Sequence, residues 1–308
     1  MTSRPQLIFL LAVFAVLAVV PFLGARYPVE LATQVMIFSL FALSLNVLAG
    51  QTGNLSFGHA AFLSIGGYAC AYFLTRLGWP LAVSMAGAVI MSAAAALIIG
   101  ALCVRLNAIY FSMLTLAFSM LVWAVATKWR SITGGDDGFV GVDVPIYLTN
   151  PYSFFWFTLA VCALSVVALW ILSASAMGHA LVAIRENPTR ASFLGMNVKR
   201  MRLAAFVIAG AFAGLAGCLL AMYVRGMYPQ TAFWTQSGQV IIMVLLGGIH
   251  SFIGPIIGAA VLYLLEVITE QYTEYWSFVM GLILLAIVMA FPEGLVGIFS
   301  KLRAPRRS

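Results

Sequence analysis

Two stretches of the chain, 31–75 and 226–265, contain no Asp, Glu, Lys or Arg at all. A helix that spans a bilayer uses roughly 20 apolar residues. Each stretch is therefore too long for one span and about right for two. Each also carries a break where a two-span reading needs one. In the first it is Gly50-Gln51-Thr52-Gly53-Asn54-Leu55-Ser56-Phe57-Gly58-His59; in the second it is Gly247-Gly248 and Gly254-Pro255. Glycines and small polar residues end one helix and start the next. The 308 residues are 63% hydrophobic and 8% charged, against about 25% charged in an ordinary soluble domain. Such a chain could not cover a soluble surface. A soluble enzyme, a disordered chain and a free nucleic-acid-binding protein are excluded. What remains is an all-α polytopic membrane protein in contact with lipid, read as one transmembrane domain, 1–308, without a large soluble appendage.

The other apolar runs lie near 6–24, 81–103, 107–127, 153–174, 203–224 and 276–292. The first follows Arg4 and competes with a signal peptide. It is longer than the 7–15 residues of such a core and leads into Pro21-Phe22-Leu23 rather than an A-x-A site, which favours a retained helix. About ten spans result, and ten place both termini on one side. With that side cytoplasmic, 11 of the 16 basic residues fall inside, including Arg4, Arg105, five between Arg185 and Arg202, and Lys301, Arg303, Arg306 and Arg307. The net charge of +7 then reads as the positive-inside bias of a multi-pass protein in a bacterial inner membrane. Cys70, Cys103, Cys162 and Cys218 sit in apolar runs without metal-ligand spacing and read as small buried hydrophobes. Gly210, Gly214 and Gly217, and Ala93 to Ala96 with Gly100, form small-residue faces suited to close helix packing.

The spans are almost free of ionisable groups; Glu266 lies near a span end, and His59 and His250 lie beside breaks. No carboxylate relay, metal cluster or phosphate-binding loop is present in the sequence, so catalytic and metal residues are none and no cofactor is expected in this chain. The energy for any transport comes from elsewhere. The most polar stretch, 178–202, reads in its first part as two short helices, with Asn187 as N-cap, Pro188 at the first helical position and Gly195 as the stop. Two readings are open for it: docking of a soluble partner, or a solvated helix pair at the membrane surface.

Three segments together are specific: Leu43 to Gly53, Leu55-Ser56-Phe57-Gly58-His59-Ala60-Ala61-Phe62, and Gly178 to Gly195. On them the chain resembles the permease subunits of branched-chain amino acid ABC importers, the LivM/LivH type. His179 departs from the arginine that often follows this glycine in the family. The resemblance implies a type II ABC importer permease fold and a second, similar permease. It also implies two cytoplasmic ATPases that use ATP and Mg, and a periplasmic solute-binding protein. It makes 178–202 the coupling segment. Arg185, Glu186 and Arg190 are candidate polar contacts with an ATPase, Leu181 and Phe193 candidate apolar anchors, and Asn187, Pro188 and Gly195 set the shape.

For the translocation path the candidates are Asn46, Gly50, Gly53, Ser56, Gly58 and His59. A half-helix starting near Ser56 would aim its positive end at a substrate carboxylate. The competing reading has Ser56 and His59 capping and packing that helix. Gly247 to Ser251 is a shorter echo of the same break. The functions in view are import of branched-chain or related amino acids, import of urea, amides or aromatic acids by a related permease, and a stand-alone channel or secondary carrier. The scarcity of intramembrane charge disfavours the last.

Overall fold

A computed structural model describes residues 4–272 and, beyond them, 275, 278, 279, 281–283, 285, 289 and 294–297. Apart from two two-residue strands, its regular elements are helices. They are α1 (Arg4–Val19), α2 (Arg26–Thr52), α3 (His59–Thr75), α4 (Leu81–Cys103), α5 (Ala108–Lys128), the single turn α6 (Arg130–Thr133), α7 (Pro151–Ala174), α8 (Ala176–Glu186), α9 (Pro188–Phe193), α10 (Val198–Val224), α11 (Trp234–Gly247) and α12 (Gly254–Tyr272). Strands β1 (Phe139–Val140) and β2 (Gly226–Met227) pair antiparallel.

Among the described residues, six helices are long and apolar enough to cross a membrane unaided: α2, α4, α5, α7, α10 and α12. Helices α1, α3 and α11, with 16, 17 and 14 residues, reach about 21–26 Å at 1.5 Å per residue. That is short of the roughly 30 Å hydrocarbon core. The last expected span, 276–292, and the basic tail lie largely outside the described residues. The expected span in the first half of 226–265 is also shorter than its apolar run. Residues 226–233 form β2 and a 3-10 turn at Pro229–Ala232, and helix starts only at Trp234. Pro229, at the first position of that turn, has no N–H to extend a helix from Arg225, which ends α10 in the left-handed region at φ 54°.

Contacts between helix ends sort them into two groups. At one end the Asp143 amide donates to Thr75 Oγ1 at 3.1 Å, Gly141 and Val142 amides donate to the Arg225 carbonyl, and Tyr152 Oη donates to the Gly24 carbonyl at 3.4 Å. At the other, Gln51 pairs with Ser173, Asn46 with Ser251 and Arg185 with Gly50. Helices α2 and α7 thus both run from the first end to the second.

The core is built where α10 meets α3, α4 and α2. The small-residue faces explain the closeness. Gly210 lies on Ala96, Gly214 on Ser92 and Gly66, and Gly217 on the Leu63 carbonyl and Gly67. A side chain at any of them would strike a neighbouring helix. The Ser92 hydroxyl is shared between the carbonyls of Gly210 (2.8 Å) and Phe62 (3.1 Å), joining three helices through one polar group. All four cysteines are buried and unbridged, in line with small apolar packing.

Candidate functional site

Helix α2 stops at Thr52 because Gly53 turns left-handed at φ 75°. Residues 53–58 then double back between helices. The Leu55 carbonyl accepts from Ser112 Oγ at 2.7 Å, and Gly58 lies against the backbone of Thr115, both on α5. Helix α3 begins at His59, whose Nε2 is 2.8 Å from Ser44 Oγ. Ser44 precedes the end of α2 by eight residues, about 12 Å of helix. The N-terminus of α3 is thus set well inside the slab. Non-helical backbone at that depth persists where protein packs around it, and here it is enclosed: Ser56, His59 and Ala60 are 0% exposed.

The half-helix therefore starts three residues later than Ser56, and Ser56 does not cap it. Gly58 occupies the cap position. The Ala60 amide, the second of α3, donates to Ser237 Oγ of α11 at 2.9 Å, and the Ala61 amide donates to the Gly58 carbonyl. Two of the first amides of α3 thus find partners within the chain. The His59 ring stacks on Phe41 at 5.3 Å and meets Phe62 edge-on. Ser56 Oγ and His59 Nδ1 are buried without a hydrogen-bond partner in the chain.

The other candidates, Asn46, Gly50 and Gly53, lie nearer the end of α2, where both glycine breaks and the short-helix pair converge. Asn46 Nδ2 donates to the Ser251 carbonyl at 3.3 Å, and Gly50 packs on the Asn46 side chain and the Ile249 carbonyl. A cavity of about 40 Å³ lies among Asn46, Gln51, Ser173 and Ser251. A buried water needs roughly 10–15 Å³ and two to four polar partners. The side-chain oxygens of Asn46, Gln51 and Ser251, which make no other bond, supply them.

The short helices are specified locally. Asn187 Oδ1 accepts from the Arg190 amide at 2.9 Å, Pro188 fills the first turn, and Gly195 turns left-handed at φ 82°. The amides of Gly195 and Met196 donate back to the Ser192 and Ala191 carbonyls, the double bond of a Schellman stop. The pair has an inner and an outer face. Leu181, expected as an anchor for a partner, is 0% exposed and belongs to this chain's own core, as does Ile184. Arg185 also turns inward. Its Nη1 donates to the Gly50 carbonyl at 2.6 Å, and its methylenes lie on Gly53. The guanidinium thus closes the negative end of α2. Its Nη2 holds Glu186 at 2.7 Å. That hydrogen bond, and the nearby positive charge, keep the Glu186 carboxyl below its usual range. Glu186 and Arg190 are exposed, as are Phe193 (86%) and Leu194 (72%). Arg185 and Arg190 thus do not present to a common surface.

Ser173 and Ser237 were not singled out by sequence, and Ser44, Gln51 and Ser251 only as members of longer segments, yet each polar group lies at a junction. Their signal was their presence inside otherwise apolar runs, where a polar side chain needs a named partner.

Comparison with known proteins agrees with this architecture. The high-affinity branched-chain amino acid transport system permease protein LivM of Salmonella typhimurium is 28% identical, over 94% of this chain and 75% of that protein. The permease protein LivH of Escherichia coli (strain K12) is 34% identical over 44% of each. The autoinducer 2 import system permease protein LsrC of Enterobacter sp. (strain 638) is 29% identical over 90% of this chain and 84% of that protein. No solved structure matches significantly. Residues 27–288 match the family described as branched-chain amino acid transport system / permease component. With six helices among the described residues long and apolar enough to cross a membrane, and a family match over most of its length, the chain belongs to the permease components of branched-chain amino acid transport systems.

Proposed function

We propose that the chain is one of two permease subunits of a type II ABC importer in a bacterial inner membrane, and that it moves branched-chain amino acids inward. The observation that carries the reading is the two-faced short-helix pair. Its inner face is clamped to the break after α2 by Arg185, and its outer face presents Glu186, Arg190, Phe193 and Leu194. An element fixed to the transmembrane core and open on its other side is suited to receive a push from a soluble motor. In this reading 178–202 and both termini are cytoplasmic, 128–152 faces the periplasm, and about ten helices cross. Two ATPases supply ATP hydrolysis, a binding protein delivers cargo, and a LivH-like subunit completes the pathway.

The test is reconstitution of the four kinds of subunit in proteoliposomes with leucine, isoleucine, valine, phenylalanine, urea and an autoinducer 2 precursor as cargo. ATP-dependent uptake of the branched-chain amino acids is expected, and no uptake by this chain alone. Transport of urea or of the autoinducer 2 precursor in their place would reassign the cargo, the latter being what the LsrC similarity favours. Proton-driven uptake by the single subunit would defeat the importer reading.

A further inference from the structure

At the end opposite the short helices, a pocket of about 260 Å³ opens between α2, α7, α10 and the 139–150 loop. Glu30 and Arg225 both line it. They do not pair with each other; the one ion pair among the described residues is Arg185–Glu186. Val144, Leu148, Phe154 and Met222 form its apolar walls. Arg225 is held there against its own backbone preference. It is the one non-glycine at positive φ among the described residues, a conformation that glycine or asparagine adopts with less strain. Its carbonyl is fixed by the amides of Gly141 and Val142, and its Nη2 reaches the Thr149 carbonyl at 3.5 Å, next to the N-terminus of α7. The guanidinium and the positive end of a 24-residue helix thus sit together. Glu30 lies on α2, whose backbone there is tied to Tyr223 Oη of α10 at 3.4 Å.

We infer that this pocket is a substrate site for a zwitterionic aliphatic amino acid, with the carboxylate at Arg225, the ammonium at Glu30 and the side chain against the apolar walls. The inference rests on the importer reading for the cargo class. Three features select this ligand. Two opposite charges held apart match a molecule that carries both. Apolar walls beside them match a side chain without polar atoms, and the Thr33 and Tyr223 hydroxyls that also line the pocket donate to the Val29 and Glu30 carbonyls of this chain. The volume lies just under the roughly 300–1,000 Å³ of drug-sized sites, as suits a small solute. A zwitterionic lipid headgroup shares the charge pattern, so the test controls for it.

The experiment is equilibrium binding of radiolabelled leucine to the permease pair in nanodiscs of phosphatidylglycerol alone, and in nanodiscs containing phosphatidylethanolamine. The competitors are 4-methylpentanoate, which lacks the ammonium, and 3-methylbutylamine, which lacks the carboxylate. Saturable binding is expected in phosphatidylglycerol, with both analogues at least about 10-fold weaker than leucine. Glu30→Gln should weaken leucine about 10-fold and make 4-methylpentanoate its equal. Arg225→Asn, which keeps the left-handed backbone accessible, should do the same for 3-methylbutylamine. The inference is overturned by no saturable leucine binding in phosphatidylglycerol, by variants that bind as wild type, or by variants that lose leucine with the analogue ranking unchanged, the mark of a structural role. Binding confined to phosphatidylglycerol supports the site and identifies the headgroup as its competitor. ATP-driven leucine uptake by the complete transporter separates the two ideas: uptake without pocket binding rejects the site alone, and no leucine uptake rejects the cargo assignment.

Discussion

Replacing Arg185 by alanine should loosen the end of α2 while the same change at Arg190 leaves it intact. Arg185 makes a 2.6 Å charge-assisted bond to the Gly50 carbonyl, and its side chain is 14% exposed. A hydrogen bond to a charged group contributes about 1.5–3 kcal/mol, and a cation at a helix C-terminus up to about 2 kcal/mol in partly buried geometry. The two overlap, since one guanidinium supplies both, so the net loss on truncation is about 2–3 kcal/mol. At 1.4 kcal/mol per decade this is roughly a 30- to 140-fold increase in local opening. Hydrogen exchange on the purified complex, followed by mass spectrometry over residues 44–58, reads that opening directly. Arg185→Lys should recover part of the protection, because a lysine keeps the charge but not the planar fork. Arg190→Ala should leave exchange in 44–58 unchanged and lower the amount of co-purifying ATPase. Equal exchange in wild type and Arg185→Ala would refute the inward role of Arg185. So would an Arg190→Ala variant that loosens 44–58 as much.

Three further outcomes follow from the geometry. Phe193→Ala with Leu194→Ala removes the exposed apolar tip of the short-helix pair; membrane expression should hold while ATPase retention on affinity purification falls at least about 10-fold, a hot-spot loss of roughly 1.4 kcal/mol or more. Gly217→Leu drives a side chain into the Leu63 carbonyl and Gly67. Overpacking of this kind costs about 1–3 kcal/mol, and more against backbone, so thermal unfolding in detergent should shift down, while Gly238→Leu, at an open position, should not shift it. The Arg185–Glu186 bond should survive mild acid. Because the Glu186 pKa is lowered in the fold, the bond's contribution is complete above the ordinary carboxylate value and fades as pH falls through the lowered one. Protection at 184–188, corrected for the intrinsic pH dependence of amide exchange, that changes between pH 6 and 8 in wild type but not in Glu186→Gln would contradict this.

The features that sequence reveals here are local ones. Gly53 and Gly248 stop their helices by adopting positive φ, and Asn187, Pro188 and Gly195 shape α9 through bonds no more than five residues apart. Small residues at 210, 214 and 217 announce a close crossing because a glycine face has no other use in lipid. What stayed hidden depends on contacts far apart in the chain. Ser237 caps α3 across 177 residues, and Arg185 reaches Gly50 across 135. Nothing near Arg185 in the sequence distinguishes it from Arg190, five positions on, yet one faces the core and the other solvent. The depth at which α3 begins was likewise invisible, since it is set by the Ser44–His59 pairing rather than by any residue at the break alone.

Helix α2 has Glu30 near one end and Gly50 near the other. At 1.5 Å per residue they are about 30 Å apart. Between them there is neither proline nor glycine, the usual places where a helix yields. Such a segment is a stiff strut. A shift imposed at Gly50 through Arg185 cannot be absorbed midway by bending; it must emerge at Glu30 as a tilt or a slide. The α10 wall of the outer pocket is held to Glu30 by the long, weak 3.4 Å bond from Tyr223 Oη, which yields before the helix does. The spacing between Glu30 and Arg225 is then the dimension that changes when the far end of α2 is moved.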